Sequence, residues 1–179
     1  MIVLNGGSSS GKSSLARELQ EQLADPWLVF GIDDLIAAMP GRLLRGGAGI
    51  ELGAADGTVG VGAGFRALEG AWMAGVAATA RAGARVVVDD VFLSGPASQA
   101  RWREALHGLD VLWVGVRCPA AVAAAREVDR PDRTAGMAAD QAERVHTGVD
   151  YDLTVDTASA SAADCARTIA ARLEQRPGG

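Results

Sequence analysis

Hydrophobic residues along the chain alternate between short continuous runs and stretches in which they recur every three or four positions. The continuous runs are Ile2–Leu4, Trp27–Ile32, Val86–Val88, Val111–Val116 and Leu153–Val155. Their length and their content of β-branched residues predict buried strands. Helical spacing covers six further segments, which are Ser13–Leu23, Phe65–Ala80, Pro96–Leu106, Ala120–Glu127, Ala135–His146 and Ala162–Leu173. Strands separated by helices predict an α/β fold with a parallel sheet covered on both faces.

Two of these helices carry more detailed predictions. One face of the second helical segment is expected to be buried, and it carries Phe65, Leu68, Trp72, Val76 and Thr79. Ser161, followed by Asp164, precedes the last segment and is typical of an N-cap with an acidic first turn.

Length and charge limit the class of protein. The 179 residues suit a single domain spanning 1–179. No apolar run reaches the length of a membrane helix, and no charged-then-apolar leader precedes the first strand. Cys118 and Cys165 are too few for a disulfide framework, so buried reduced thiols in a cytoplasmic protein are expected. The formal charge of −5 argues against a dedicated nucleic-acid binder.

The most specific motif follows the first strand. Lys12 is the only lysine among seventeen basic residues, and it lies in a window that fits G-x-x-x-x-G-K-[ST]. Such a loop binds phosphate through backbone N–H groups, a helix N-terminus and the lysine ammonium, while the Ser13 hydroxyl can ligate Mg²⁺. The predicted nucleotide-binding residues of this loop are Gly6, Gly7, Ser8, Ser9, Ser10, Gly11, Lys12, Ser13 and Ser14.

Carboxylates close two of the predicted strands, and ligands of parallel sheets bind at these strand ends. Asp89 and Asp90 follow Val86–Val88, and an acid in this place can hold Mg²⁺ opposite the phosphate loop. Asp33 and Asp34 end the second strand. Asp33 is well placed to accept a hydroxyl proton during phosphoryl transfer to an alcohol, whereas Asp34 is as well explained as the cap of the next helix.

A long glycine-rich segment, Gly41–Gly64, interrupts the alternation. Ile50–Leu52 and Thr58–Val61 flank the turn dipeptide Asp56-Gly57, which predicts a small hairpin. Loops of this length in compact domains are usually functional, so the segment is interpreted as a flap over an acceptor pocket; the alternative is a disordered surface insertion.

Residues 126–135 contain three arginines, Arg126, Arg130 and Arg133, between two helical segments. Guanidinium groups suit the charge of a transferring phosphoryl group, and a segment of this kind is typical of a lid. The alternative is a solvated helix end whose arginines pair with Glu127 and neighbouring aspartates.

Other nucleotide-binding classes are excluded by missing motifs. With a single lysine, the chain cannot contain the Asn-Lys-x-Asp motif of GTP-binding switches. Leu93-Ser94-Gly95-Pro96 breaks the Leu-Ser-Gly-Gly-Gln signature of transporter ATPases and follows the acidic strand instead of preceding it. The histidines His107 and His146 lack metal-ligand spacing, and His146 is interpreted as structural.

The chain resembles the chloramphenicol 3-O-phosphotransferase family. The matching stretches extend through nearly the whole sequence and are Leu4–Ser9, Lys12–Ser13, Phe30–Asp33, Ala37–Pro40, Phe65–Trp72, Arg81–Arg85, Asp89–Phe92, Leu109–Cys118, Asp132–Arg133, Ala135–Ala138 and Val155–Thr157. The resemblance implies a three-layer P-loop kinase fold with a five-stranded parallel sheet in the order 2-3-1-4-5. It also implies transfer of the γ-phosphate of ATP to a primary alcohol.

The same resemblance assigns roles to individual residues. It implies that Asp33 is the catalytic base and that Lys12 and Ser13 bind phosphate and magnesium. Arg130 and Arg133 match the lid, and Asp156 and Thr157 fall where related kinases begin the loop beside the adenine. The acceptor half departs from the family, since Asp34 replaces a small hydroxyl residue and Gly41–Gly64 differs most.

These observations predict an ATP- and Mg²⁺-dependent O-phosphotransferase of small molecules, with chloramphenicol or a related antibiotic as acceptor. Met39 and Phe92, together with Trp27, favour an aromatic and weakly polar acceptor beside Asp33 and Asp34. Two alternatives stay open: a kinase of a shikimate-, gluconate- or nucleoside-type alcohol, and a nucleotide-binding regulator without an acceptor. The sequence predicts neither a nucleic-acid nor a membrane partner, and it leaves homo-oligomerisation and the preference for ATP over GTP open.

Overall fold

Strands and helices alternate along the chain in the computed structural model, which describes residues 1–44, 49–52, 59–128 and 136–176. The strands are β1 (Ile2–Asn5), β2 (Trp27–Gly31), β3 (Ile50–Leu52), β4 (Val59–Val61), β5 (Arg85–Asp90), β6 (Leu112–Arg117) and β7 (Leu153–Asp156). The helices are α1 (Lys12–Gln22), α2 (Ile32–Ala38), α3 (Ala63–Arg81), α4 (Pro96–Ala105), α5 (Ala120–Val128), α6 (Met137–Arg144) and α7 (Ala162–Glu174).

Five parallel strands form the main sheet in the order β2-β5-β1-β6-β7. When the hairpin strands β3 and β4 are left out of the count, this order reads 2-3-1-4-5. Asn5, Gly31, Asp90 and Arg117 end four of these strands, so the carboxyl ends meet at one edge of the sheet. The predicted fold class is confirmed, and this edge is where a ligand is expected.

The sheet is covered on both faces, as the continuous hydrophobic runs predict. Along β1, Ile2 and Leu4 pack into a core with Leu19 of α1 and Ile169 of α7, whereas Val3 packs on the opposite face. That second core is formed with α3 and α4 and includes Met73, Val76, Trp102 and Leu106. Side chains of a strand alternate between faces, so a strand buried on both sides must be apolar throughout.

The second strand ends earlier than predicted. Gly31 is the last residue of β2 and serves as the N-cap of α2, so Asp33 and Asp34 lie in the first turn of that helix and do not close the strand. Acidic side chains in a first helical turn are favoured by the partly positive helix N-terminus, which explains why the chain becomes helical here.

The predicted stripe on α3 is confirmed only in part: Phe65 and Val76 are buried, Trp72 and Thr79 are partly buried, and Leu68 is exposed. The helix buries Phe65, Glu69, Met73, Val76 and Ala77. Leu68 is exposed, because the buried face turns toward a carboxylate, Glu69, that is paired with arginines. A hydrophobicity pattern cannot anticipate a buried ion pair.

Several smaller predictions are confirmed. The hydroxyl of Ser161 caps α7 by accepting a hydrogen bond from the backbone N–H of Asp164 at 3.1 Å. Strands β3 and β4 pair antiparallel, with Ile50 opposite Val61, as the hairpin prediction requires. Residues 45–48 and 53–58 of the glycine-rich segment, including the predicted turn, lie outside the described residues.

Both cysteines are buried, free thiols. Within the described ranges, no helix combines the length and the apolar character needed to cross a bilayer.

Candidate functional site

The phosphate loop connects β1 to α1 in a tight turn. Gly11, the N-cap of α1, has φ of 89°, and Ser9 also has a positive φ of 56°. Gly6 lies so close to β6 that a Cβ atom there would be 2.5 Å from the carbonyl oxygen of Val116. The loop therefore needs glycine where the motif has it, and its backbone turns toward the start of α1.

Lys12 folds over this loop. Its Nζ donates to the carbonyl oxygen of Gly7 at 2.9 Å and lies 3.8 Å from Oδ1 of Asp89, and the residue is only 7% exposed. An ammonium on a flexible stem fits this enclosed position, where it can exchange a carbonyl contact for a phosphate oxygen.

Ser13 and Asp89 are adjacent, as the metal prediction requires. The Ser13 hydroxyl donates to Oδ2 of Asp89 at 2.7 Å. No cluster of three or more His, Cys, Asp or Glu suited to a metal ion occurs in the described ranges. Magnesium is commonly bound by one or two protein oxygens, with phosphates and water completing its shell, so this donor pair fits that ion.

Asp90 lies on the other side of the strand from Asp89. Its Oδ2 accepts a hydrogen bond from Trp102 Nε1 at 2.5 Å, and its Oδ1 accepts one from the backbone N–H of Val91 at 2.6 Å. Burial raises the pKa of Asp90 to about 6, although both hydrogen bonds act to lower it. Consecutive strand residues face opposite ways, so of the two acids only Asp89 contacts the phosphate loop.

A cleft of about 890 Å³ runs from the phosphate loop along α2 and α3. Asp33 and Asp34 both line it and are both exposed. Oδ2 of Asp34 accepts a hydrogen bond from the backbone N–H of Gly31 at 2.8 Å. Asp34 is thereby occupied in closing the first turn of α2, which matches the capping alternative raised for it.

The acceptor half of the cleft has an apolar wall. It is lined by Val29, Ile32, Ile36, Leu44, Ile50, Val59, Val61 and Phe65. These side chains come from β2, α2, the turn at residues 41–44, the hairpin and the start of α3, so the glycine-rich segment does contribute to the pocket.

Met39 and Phe92, which were predicted to contact the acceptor, do not line the cleft. Met39 is 6% exposed and packs with Leu35 and Phe65. Phe92 is fully buried in the core beneath α3 and α4, with its ring centroid 6.4 Å from that of Trp113. The prediction fails because alternate positions after β5 face opposite ways, and Val91 and Leu93 are the residues that reach the cleft. Trp27 is likewise part of the core.

A buried ion cluster forms the polar floor of this half. Glu69 is 5% exposed and accepts from Arg66 at 2.8 and 2.7 Å, while Nε of Arg101 lies 3.2 Å from the same carboxylate. Arg66 also donates to the Ser94 hydroxyl at 3.1 Å. Arg66 and Glu69 both line the cleft, together with Asp90 and Ser98. This cluster was not predicted from the sequence, because Arg66 and Glu69 lie outside the stripe predicted for α3 and Arg101 comes from α4.

On the nucleotide side, Thr157 ties β7 to the phosphate loop. Its hydroxyl donates to the carbonyl oxygen of Ser10 at 2.7 Å. Arg126, which lines the cleft, donates to the Thr157 hydroxyl at 3.1 Å and to its carbonyl oxygen at 2.8 Å. Asp156 accepts from the backbone N–H of Ala158 at 2.8 Å and so shapes the turn after β7. Arg130 and Arg133 of the predicted lid lie outside the described residues.

Two further polar residues near the loop were not predicted. The Gln141 side chain of α6 accepts the backbone N–H of Ser8 at 2.8 Å, and no local motif marks this glutamine. Asn5, at the end of β1, donates to Tyr151 at 2.6 Å and accepts from the backbone N–H of Phe92 at 2.8 Å. Asn5 is a polar residue that closes a buried strand, and that signal could have identified it.

The fold and this site define a phosphate-loop kinase class: a doubly covered parallel sheet, a phosphate loop with an acid beside its serine, and a cleft that extends from this loop along α2 and α3. A family model described as chloramphenicol phosphotransferase-like protein matches residues 1–174. The chain therefore belongs to the chloramphenicol phosphotransferase-like family, and it is a phosphotransferase with an alcohol group as acceptor.

A sequence relative agrees with this assignment. The chain is 30% identical over 187 aligned positions to "Putative O-phosphotransferase Rv2636" of Mycobacterium tuberculosis, covering 94% of this chain and 80% of the relative. Among solved structures, a sugar kinase from Janibacter has a TM-score of 0.67 at 18% identity, with 98% of this chain and 95% of that chain covered.

Two further solved structures share the fold. The tunicamycin resistance protein of Deinococcus radiodurans has a TM-score of 0.65 at 22% identity, with 96% of this chain and 94% of that chain covered. Shikimate kinase of Acinetobacter baumannii has a TM-score of 0.64 at 18% identity, with 99% and 94% covered.

Proposed function

We propose that the protein transfers the γ-phosphate of ATP to a hydroxyl group of a small, uncharged antibiotic-like molecule, with chloramphenicol or a close relative as the first candidate. The observation that carries this proposal is the continuity of the cleft. Lys12, Ser13 and Asp89 line the same cleft as Asp33 and a set of apolar side chains.

In this scheme the residues of the nucleotide end bind and orient ATP. The phosphate loop and Lys12 hold the β- and γ-phosphates, and Arg126 with Thr157 forms the wall of the nucleotide side. Ser13 and Asp89 would hold Mg²⁺, directly or through water, and the ion would neutralise charge on the phosphates.

Asp33 performs the proton chemistry of the acceptor. Its carboxylate accepts the hydroxyl proton while the hydroxyl oxygen bonds to the γ-phosphorus and the bond from that phosphorus to the β-γ bridging oxygen breaks. The products are ADP and a phosphate monoester. The family resemblance assigns this role to Asp33, while the carboxylate of Asp34 accepts the N–H of Gly31 and helps to close the first turn of α2.

The charges that line the cleft favour an uncharged acceptor. The carboxylates of Asp33, Asp34 and Asp90 line the cleft, whereas Glu69 and Arg66, which also line it, are paired with each other. A carboxylate-bearing acceptor such as shikimate or gluconate would meet this negative charge. Arg17 of α1, which is exposed and also lines the cleft, is the described cation on which such an acceptor would depend.

A screen of ATP consumption tests the proposal. Purified protein with Mg²⁺ is incubated with chloramphenicol, other hydroxyl-bearing antibiotics, shikimate, gluconate and nucleosides, and products are identified by the mass of one added phosphoryl group. We expect turnover with a neutral aromatic alcohol and none in the Lys12→Ala variant. Turnover of shikimate or gluconate that is lost in Arg17→Gln would instead establish an anionic acceptor. Tight nucleotide retention without turnover of any alcohol would favour a regulator.

A further inference from the structure

A buried carboxylate joins two helices at the nucleotide side of the cleft. Glu127, near the end of α5, is 8% exposed. Its Oε2 accepts the backbone N–H of Gly136 at 2.9 Å, and its Oε1 accepts that of Ala138 at 2.8 Å. Both N–H groups belong to the start of α6, where the N-cap Gly136, with φ of 87°, offers no capping side chain of its own. A residue of α5 therefore caps α6.

Helix α6 in turn holds the phosphate loop. Gln141, one turn after Met137, is 3% exposed, and its Oε1 accepts the backbone N–H of Ser8 at 2.8 Å. The helix and the loop are closely packed here: a Cβ atom added at Gly7 would be only 3.1 Å from Cβ of Gln141. Met137 and Gln141 also line the cleft. The orientation of α6 thus determines where this segment of the loop lies.

We propose that Glu127 and Gln141 act together as positioning residues for the phosphate loop. Glu127 fixes the first turn of α6, and Gln141 transmits that position to Ser8, so that the N–H groups following Ser8 are aligned for the phosphates before nucleotide arrives. The pair touches no reacting atom. The proposal rests on phosphate binding at the loop, as the proposed function requires, and it assigns roles to two residues outside the motif.

The alternative is that both residues only stabilise the fold. A helix cap and a buried hydrogen bond each contribute to stability wherever they occur, so loss of either lowers the melting temperature under both interpretations. Nucleotide affinity separates them. Misalignment of the loop weakens binding in a protein that is still folded, whereas a purely stabilising role leaves the affinity of the folded protein unchanged.

The experiment measures ADP affinity by calorimetry in the presence of Mg²⁺, well below the lowest melting temperature of the set. Gln141→Met has nearly the volume of glutamine and removes the acceptor. We expect ADP to bind about ten-fold more weakly, because binding must then also align the loop. Glu127→Gln keeps one acceptor oxygen, so we expect a smaller loss of about five-fold. Glu143→Gln is the matched control, because Glu143 is an exposed acid of the same helix, 80% exposed and 3.5 Å from Arg117.

The double variant tests whether Glu127 acts through Gln141. If it does, Glu127→Gln should add little once Gln141→Met is present, whereas independent effects would multiply. In turnover assays with the acceptor found by the screen, the KM for ATP should rise in parallel with the ADP dissociation constant, and the KM for the acceptor should not change.

Unchanged ADP affinity in both single variants, or multiplicative effects in the double variant, would overturn the positioning role while leaving the proposed phosphotransfer intact. Failure of the unmodified protein to bind ADP or ATP would overturn both.

Discussion

At the scale of single residues, the site consists of polar side chains that contact one another in a confined space. Lys12, Ser13 and Asp89 form a chain of contacts, with the lysine ammonium over the Gly7 carbonyl and the serine hydroxyl on the aspartate. Each group can exchange its present partner for a phosphate or a metal ion without moving far. Substitutions that preserve charge but change shape are therefore informative.

Lys12→Arg is the sharpest of these substitutions. The residue is 7% exposed and its Nζ lies 2.9 Å from a backbone carbonyl, so a planar guanidinium would have to displace the loop. We expect nucleotide binding and activity to fall by about two decades, as for the loss of a charge-assisted contact. Calorimetry with ADP and a thermal melt measure affinity and folding, and Arg167→Lys on the exposed face of α7 is the control. Near-normal turnover would contradict the assignment of the loop.

The same substitution, aspartate to asparagine, distinguishes the roles of Asp33 and Asp34. Asp33→Asn keeps the shape of the side chain but cannot accept a proton, so we expect ATP affinity close to normal and phosphoryl transfer reduced by at least about two decades. Asp34→Asn still offers an oxygen to the Gly31 N–H and should be much milder. Nucleotide affinity and turnover are measured on both variants with one acceptor. The reverse pattern would place the base on Asp34.

At the scale of elements, much of the fold was predictable. Continuous β-branched runs located all five parallel strands, since a strand buried on both faces leaves a signal without alternation. The start of α2 was missed because Ile32 continues the apolar run of β2 although it is already helical. Residues such as Phe92, just past a strand end, were also misassigned, because whether a side chain faces core or cleft depends on a single position of register.

The arginines between α5 and α6 lead to a prediction about the proposed lid. If Arg130 and Arg133 contact the phosphoryl group chiefly in the transition state, replacing either with alanine should lower kcat more than it raises the KM for ATP. A lost contact of about 3–4 kcal/mol corresponds to a kcat lower by about two to three decades. Steady-state kinetics with Arg172→Ala, an exposed arginine of α7, as control provides the measurement. Full kcat in both variants would identify the segment as a solvated surface.

At the scale of the whole molecule, the contacts that assemble the site join distant parts of the sequence. Gln141 accepts from Ser8 across 133 positions, and Thr157 donates to Ser10 across 147. Spacing rules describe neighbours on one helix or strand, so no motif could reveal these pairs. The nucleotide half was predictable because its chemistry is concentrated in one local motif. The acceptor half was not, since its wall is assembled from two helices, three strands and a turn.

A buried histidine makes the stability of the fold depend on pH. His146 is 5% exposed, and its Nδ1 lies 2.7 Å from the Tyr151 hydroxyl. Burial, assisted by the positive charges of Arg117 and Lys12, lowers the pKa of His146 to about 4. In the unfolded chain the pKa of a histidine is about 6.5, so between these two values the unfolded state binds the proton and the folded state does not.

Stability should therefore fall on acidification through this window. The slope of the unfolding free energy with pH is positive wherever the unfolded state holds more protons. Between pH 7 and pH 5 the contribution of His146 amounts to about 2 kcal/mol, at roughly 1.4 kcal/mol for each pH unit below 6.5. The contribution of Asp90 to the pH dependence of stability has the opposite sign. Because its pKa is raised to about 6, the folded state binds a proton before the unfolded state does as the pH falls. This partly offsets the loss of stability caused by His146.

Two variants separate the contributions of His146 and Asp90 to the pH dependence of stability. Urea denaturation at pH 7 and pH 5 gives the unfolding free energy of each protein at both values. His146→Gln should lose about 2 kcal/mol less than the unmodified protein on going from pH 7 to pH 5, because it has no proton to gain on unfolding. Asp90→Asn should lose more than the unmodified protein, since it lacks the compensating carboxylate. Comparing the change with pH within each variant removes the cost of the substitution itself. An identical pH dependence in all three proteins would show that neither buried group couples folding to protonation in this range.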